Sequence, residues 1–238
     1  MAERLRPTDG AQGSDADQAR PDVARLVIGI LGGTGDQGRG LARRFAMAGH
    51  DVIIGSRSRE RAVAAAEGLG AELGVRGMDN AAAARAADIV IAAVPWEGHG
   101  DLLTSLAGEL GGKILVDCVN PLGFDSRGPC ALPIAEGSAA QQAAALLPES
   151  RVVGAFHHVS AVLLLDPRVE KIDLDVLVLG DDREATGLVQ ELAERIPGVR
   201  GIYAGRLRNC GQVEALTANL VAINRRYKAH AGLRITDV

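Results

Sequence analysis

Along this chain, short runs of apolar and often β-branched residues alternate with alanine-rich stretches of helical spacing. RLVIGIL (25–31), DVIIG (51–55), DIVIAAV (88–94), ILVDCV (114–119), RVVGAF (151–156) and LDVLVLG (174–180) predict strands, with another short one near Val75. Helices are expected over 37–48, with Leu41, Phe45 and Ala48 on one face, and over 59–73 behind Ser58 as N-cap. DNAAAARAA predicts a further helix, capped by Asp79 or Asn80. The strands are near-continuous apolar runs without polar alternation, the pattern of a parallel sheet covered on both faces. Strand, helix and strand in repetition predict right-handed crossovers and an α/β fold, a doubly wound (Rossmann) parallel sheet. Residues 206–230 read as one long amphipathic helix bearing Leu207, Val213, Leu216, Leu220 and Ile223, which gives the sheet a small C-terminal helical extension. The stretch from Asn120 to Pro133 reads as a long loop, and loops of that length in compact domains are often functional. Residues 1–22 are polar, without a hydrophobic secretory core, and are expected to be a disordered leader.

Composition narrows the classes. At 238 residues and 47% hydrophobic, the chain can bury a large core. A net charge of −4 and 3% aromatic residues argue against a nucleic-acid surface or a base-stacking platform. No apolar run approaches the ~18 residues needed to span a membrane. Cys118, Cys130 and Cys210 lack the spacing of a disulfide framework or metal knuckle, as expected for small apolar residues in a reducing cytoplasm.

Chemistry enters at LGGTGDQGRG (31–40). Gly33, Gly35 and Gly38 fit G-x-G-x-x-G between an expected strand and an expected helix. Gly33 permits the tight turn, Gly35 lets the backbone approach a pyrophosphate, and Gly38 lets the helix pack closely on the strand. The free N–H groups of that helix start would receive the anion. An NAD site usually has Asp or Glu at the end of the second strand. Here the sequence is VIIGSRSRER, with Ser56, Arg57 and, one turn on, Arg61. A 2′-phosphate is attracted by these groups, so the expected cofactor is NADP. Solvated basic residues opening a helix are the plain alternative, although they oppose its macrodipole.

Trp96, the sole tryptophan, follows Pro95 at the carboxyl end of a strand, where open α/β sheets bind ligands. NPLG (120–123) and FHHVSA (156–161) end two more strands on that edge, so His157 and His158 fall there too; both a structural and a functional role suit a histidine pair.

The segments ILGGTGDQGRGLARRFAMAGHDVIIGSRSRERA, VPWEG, NPLGFDSRG, EGSAAQQAAALLP and VVGAFHHVSA, continued by GDDREA and AGRLRNCGQVEALTANLVAINRRYKAHAGLRI, resemble the NADP-dependent oxidoreductases that use the deazaflavin coenzyme F-420. The wording of EGSAAQQAAALL and FHHVSA is most similar to the actinobacterial branch. The resemblance spans roughly residues 25–235. It implies reversible hydride transfer between nicotinamide C4 and deazaflavin C5 in one cleft, with no protein nucleophile and no metal, in a homodimer. Residues 25–180 then form the NADP-binding domain, and 181–238 form a small α-rich part closing the deazaflavin cleft. The resemblance places Thr34, Gly35, Asp36 and Gln37 in the pyrophosphate loop, Ser56, Arg57 and Arg61 at the 2′-phosphate, and Trp96 and Ala161 in the cofactor cleft. His157 matches a histidine near the deazaflavin, and Leu233 a C-terminal residue reaching into the cleft. Val94, Pro95, Gly100, Asn120, Pro121 and Ser160 complete the expected cofactor-binding set. Asp36–Gln37 replaces an Asn-Leu pair of archaeal members, Arg61 a lysine, and His158 and Ser160 a Thr and a Pro. A carboxylate at Asp36 is expected to turn away from the phosphates. An NADP-dependent reductase of a small carbonyl or imine is the competing enzyme; it usually needs an acid such as Tyr or Lys at the strand edge, and Tyr203 and Tyr227 lie in no strand-end motif. A catalytically silent NADP sensor would carry the same glycine and arginine motifs.

Overall fold

The computed structural model describes residues 23–238; the leader expected at 1–22 lies outside the described residues. β1 (Val27–Leu31), β2 (Asp51–Ser56), β3 (Arg76–Asp79), β4 (Ile89–Ala92), β5 (Ile114–Asp117), β8 (Arg151–Gly154), β9 (Leu174–Gly180) and β10 (Val199–Tyr203) form one eight-stranded sheet. Its order is β10-β9-β8-β5-β4-β1-β2-β3. Six of these strands, β1 to β5 and β8, are parallel; β9 runs antiparallel to β8, and β10 runs parallel to β9. The sheet is therefore mixed at one edge, where the sequence predicts only parallel pairing. Strand order reverses between β1 and β4, which opens a crevice at their carboxyl ends.

Successive strand residues point to opposite faces, and here both faces are buried. Ile28, Ile30, Ile89, Ile91, Ile114 and Val116 face one core, with Leu41 and Phe45 of α1 (Asp36–Met47), Ala62 of α2 (Arg59–Glu67), Leu164 of α7 (Ala161–Leu165) and Val189 of α8 (Arg183–Glu194). Leu31, Val90 and Leu115 face the other. There they meet Ala84 of α3 (Asn80–Ala86), Leu103 of α4 (His99–Ser105), Leu110 of α5 (Ala107–Leu110), Ala143 of α6 (Ala139–Leu146) and Val213 of α9 (Cys210–Tyr227).

Several elements depart from the pattern of the sequence. The helix expected over 59–73 stops at Glu67, because Gly68 and Gly70 (φ 108°) break it before a single 3-10 turn at Ala71–Leu73. The expected loop from Asn120 to Pro133 is mostly a hairpin of β6 (Leu122–Asp125) and β7 (Gly128–Ala131), turned at Gly128 (φ 116°) and packed by β7 on α9. The helix expected over 206–230 is a 3-10 turn followed by α9, which Lys228 ends in the left-handed conformation; its Ile223 is exposed. The part after residue 180 is not only helical: it supplies β10 to the sheet.

One polar side chain holds two layers together. Arg44 on α1 is 2% exposed, and its guanidinium donates to the carbonyls of Leu163, Leu164, Asp166 and Val169. These are the orphan carbonyls at the end of α7 and in the turn beyond it. Burial holds the Arg44 pKa below the usual arginine value, yet a guanidinium remains charged in proteins, and the four acceptors compensate its lost hydration. Arg44→Met should lower the unfolding free energy by about 3 kcal/mol or more, since it strands several buried carbonyls at once; urea denaturation reading a loss below about 1 kcal/mol would contradict this role.

Candidate functional site

The glycine-rich turn lies between β1 and α1, at the strand-order reversal. Its three motif glycines have distinct physical reasons. A Cβ on Gly38 would stand 2.5 Å from Gly33 Cα, and one on Gly33 would stand 2.8 Å from the Ile30 carbonyl oxygen, so chain packing alone forbids side chains at both. Gly35 differs. It is exposed, its φ is −78°, and a Cβ there would meet only the Gly32 oxygen at 4.0 Å. Nothing in the fold requires glycine at that position, so the open space is available to a ligand. Gly35 is also the N-cap of α1, and no side chain caps that helix. Its first N–H groups therefore keep their binding capacity for an anion.

The turn is braced from three sides. Gly33 N–H donates to the Gly55 carbonyl at 3.0 Å. Gly32 N–H donates to Asn80 Oδ1 at 3.4 Å, and a Cβ on Gly55 would meet that same oxygen at 2.8 Å. Gln37 Nε2 donates to the Phe156 carbonyl at 3.2 Å, tying α1 to the FHHVSA segment. The Asp36 carboxylate pairs with Arg39 Nη2 at 2.7 Å along the exposed flank of the helix.

Ser56 ends β2 and is buried, with its Oγ accepting from Ser58 N–H. Ser58 Oγ in turn accepts from Arg61 N–H, the N-cap that the sequence predicts. Arg57 and Arg61 are exposed, and neither guanidinium has a hydrogen-bond or ion-pair partner among the described residues. Two unpaired cations beside an uncapped helix start suit a ligand carrying several phosphates.

On the far side of the crevice, Val94, Pro95, Trp96 and Gly100 follow β4, with Val94 against Gly32. Asn120 and Pro121 follow β5. Asn120 Nδ2 donates to the His157 carbonyl at 2.8 Å, and Asn120 Oδ1 is buried without a partner. Ser160 Oγ lies 3.4 Å from His230 Nδ1, and Ala161 opens α7. Leu233 accepts from Asp175 N–H at 2.8 Å, at the β9 end that lies beyond the carboxyl end of β8. The expected residues thus collect along one sheet edge.

Buried polar residues that the sequence pattern did not single out lie beneath this edge. His99 and Asp117 are fully buried and pair at 2.6 Å. Glu214 on α9 is 3% exposed and accepts from the N–H groups of Ala139 and Ala140, so it caps α6 from another helix. Its Oε1 stands 4.0 Å from His157 Nε2. A carboxylate inside an amphipathic helix pattern looks like a surface residue, so the sequence offered no signal for Glu214. Burial pushes its pKa up to about 7, against the pull of the two N–H groups. His157 and His158 are buried, their ring nitrogens find no partner, and burial pushes each pKa down to about 4.

Those shifts have a sign. A histidine depressed from about 6.5 adds stability that is complete above that pH and lost as pH falls toward 4, at about 1.4 kcal/mol per pH unit. Glu214 acts oppositely: its raised pKa favours the fold below about 4.5, an advantage lost as pH rises toward 7. Urea unfolding of wild type and His158→Asn at pH 7 and at pH 5 should therefore differ. Wild type should lose roughly 2 kcal/mol more on acidification, whereas equal losses would show that His158 is not held neutral.

This chain is similar to known proteins over most of its length. The family model for NADP oxidoreductase, coenzyme F420-dependent, matches residues 27–121, from β1 through the end of β5. The F420-dependent NADP reductase of Methanothermobacter marburgensis is 41% identical over 223 residues, covering 90% of this chain and 99% of its own. That of Methanocaldococcus jannaschii is 39% identical over 223 residues, with the same coverage. A crystal structure from Arthrobacter sp. FB24, attributed to an F420-dependent NADP reductase, superposes with a TM-score of 0.76 at 28% identity, over 89% of this chain and 99% of that one. With relatives this similar over nearly their whole length, the chain belongs to the family of F420-dependent NADP reductases.

Proposed function

We infer that this protein is an oxidoreductase that passes a hydride reversibly between NADP(H) and the deazaflavin coenzyme F420. The observation that carries the NADP half of the reading is the pairing of an open Gly35 at an uncapped helix start with two exposed, unpaired guanidiniums just beyond the end of the neighbouring strand. Thr34, Asp36, Gln37 and Gly38 offer backbone N–H groups to a pyrophosphate, in a turn that Gly33 shapes and where Gly35 leaves room for it. Asp36 is compatible with that role because its carboxylate turns to Arg39 on the exposed flank of the helix. Ser56, Arg57 and Arg61 hold a 2′-phosphate, which separates NADP from NAD.

The nicotinamide half belongs to the strand-end segments of Val94, Pro95, Trp96, Gly100, Asn120 and Pro121. The deazaflavin half belongs to His157, Ser160, Ala161 and Leu233. When bound, the two coenzymes supply the hydride donor and the acceptor carbon. The protein's part is alignment and exclusion of water, which need rigid walls and no nucleophile. Gln37 to Phe156 and Asn120 to His157 are the bonds that fix the two walls to each other.

A carbonyl or imine reductase would want a proton donor on the same edge. Lys113 is spent at the opposite end of β5, where its Nζ donates to the carbonyls of Ala84, Arg85 and Ala87. Tyr203 and Tyr227 are more than half exposed, at the ends of β10 and α9. We place the enzyme in the cytoplasm, where its three cysteines stay free, working on small molecules as a homodimer and without nucleic acid. Among the described residues, no helix is long and apolar enough to cross a membrane.

NADPH mixed with oxidised F420 and the pure protein should lose absorbance at both cofactors' bands together; NADPH that is oxidised only without regard to F420, or not at all, would overturn the reading. Arg57→Ala should weaken NADPH binding by about 1.5–3 kcal/mol and leave NADH almost unchanged; calorimetric titration showing equal losses would refute the 2′-phosphate contact. Gly35→Ala should leave the melting temperature within a degree or two of wild type while weakening NADPH by about tenfold, because only a ligand uses that space.

A further inference from the structure

Trp96 is stacked on the imidazole of His99, with ring centroids 5.6 Å apart and planes 30° from parallel. His99 itself is fixed on both sides. Its Nε2 lies 2.6 Å from Asp117 Oδ2, and its Nδ1 lies 3.2 Å from Gln142 Oε1. A neutral imidazole has one N–H, and only the protonated ring can donate to two oxygens. The groups facing it are Asp117 from β5, Gln142 from α6 and, more distantly, the charge of Glu214 from α9. Burial opposes protonation of His99, but the Asp117 hydrogen bond and charge outweigh it, helped by Gln142 and Glu214, so its pKa is raised.

The same pair shapes a second wall. Asp117 Oδ1 accepts from Val119 N–H at 3.0 Å, which turns the chain toward Asn120, and Asn120 then holds the His157 carbonyl. His99 therefore reaches the segment after β4 through Trp96, the segment after β5 through Asp117, and the FHHVSA segment through Asn120.

We propose that His99 is a positioning residue for the NADP(H) site: clamped between Asp117 and Gln142, it sets the plane of Trp96 and holds the strand-end walls at the spacing the nicotinamide half requires. The proposal rests on the NADP reading above. It gives a reason for a fully buried histidine–carboxylate pair that touches no solvent and lies one ring below the cleft. A buried pair of this kind is weak evidence for stability, since its desolvation cost offsets much of its attraction. Fixing one geometry is the better-founded use.

The sole tryptophan makes the test direct. A protonated imidazole in contact with an indole quenches its emission, and the neutral ring does so much less. In the full chain without cofactor, Trp96 emission should rise through a single step as pH increases, with a midpoint above the ordinary ~6.5 of histidine. His99→Gln can still donate to Asp117 but cannot take a proton there, so it should remove the step. Emission that is flat across the whole pH range in which the wild-type chain stays folded, or a step that survives in His99→Gln, would overturn the proposal. Should His99→Gln fail to fold, Glu214→Gln, which removes the other group titrating beside the ring, should keep the step, and its loss there would overturn the proposal.

Action through Trp96 has its own signature. His99→Gln and Trp96→Phe should each raise the NADPH dissociation constant about tenfold, and the double variant should bind no more weakly than the worse single one. Additive losses would show that His99 does not work through the indole. If these results hold but F420 is never reduced, the hydride-transfer reading fails and the positioning role stands. If the emission step is absent while F420 turns over, only the positioning role fails.

Discussion

One close backbone approach organises the rest. α1 begins so near the end of β1 that a Cβ on Gly38 would stand 2.5 Å from Gly33 Cα. Only glycine at both positions lets the helix start there, at the strand-order reversal, with its N–H groups unspent. Everything else on the edge is referenced to that helix. Asn80 and Gly55 brace the turn from β2 and α3, and Gln37 reaches across to Phe156. Arg44, two turns further along, binds the carbonyls that end α7. One helix thus positions both the phosphate side of the crevice and the segment that carries Ser160 and Ala161.

Charge is divided between the two sides of that crevice. On the β2 side the cations are exposed and unpaired, a cheap arrangement in water that keeps them available to a phosphate. On the β5 and α9 side the ionisable groups are buried, and each is managed differently. His99 is matched to Asp117, Glu214 is held by two backbone N–H groups, and His157 and His158 are kept neutral. Asp175, also without solvent exposure, is matched by Arg200 and Arg234 and by the Ile235 N–H, which fastens the C-terminal segment around Leu233 to β9. A flat nicotinamide meeting a flat deazaflavin needs walls of this rigid, mostly uncharged kind more than it needs a reactive side chain.

Two of the departures that the resemblance implies, at Asp36 and Arg61, fall on exposed positions where they cost little. Arg61 for a lysine keeps a cation beside the β2 end. Asp36 brings a carboxylate to the phosphate loop, but Arg39, one turn on, pairs with it. That pairing is a local i,i+3 contact that draws the carboxylate along the exposed flank of the helix and offsets part of its repulsion.

Local rules were sufficient for much of this chain. Apolar runs of strand length, glycine spacing and helix caps at Ser58 and Asp79 depend on neighbours a few residues away, so β1 to β5, α1 to α3 and the anion-binding turn could be read directly from residues 25–119. The replacement of an acidic residue by Ser56 and Arg57 was equally plain, because the position is counted from the end of a strand. What could not be read depends on partners far along the chain. The direction of β9 and the existence of β10 follow from which edge remains open once the parallel strands have paired. The hairpin at Leu122–Ala131 takes its place against α9, about ninety residues away. His99, Asp117, Arg44 and Glu214 resemble surface residues of helices and strand ends until the fold buries them. Local pattern was therefore enough to specify a Rossmann sheet and a site for a phosphorylated dinucleotide. Which polar side chains lose water depends on the packing of distant segments, and burial is what turns those residues from solvated surface into the supports of the site.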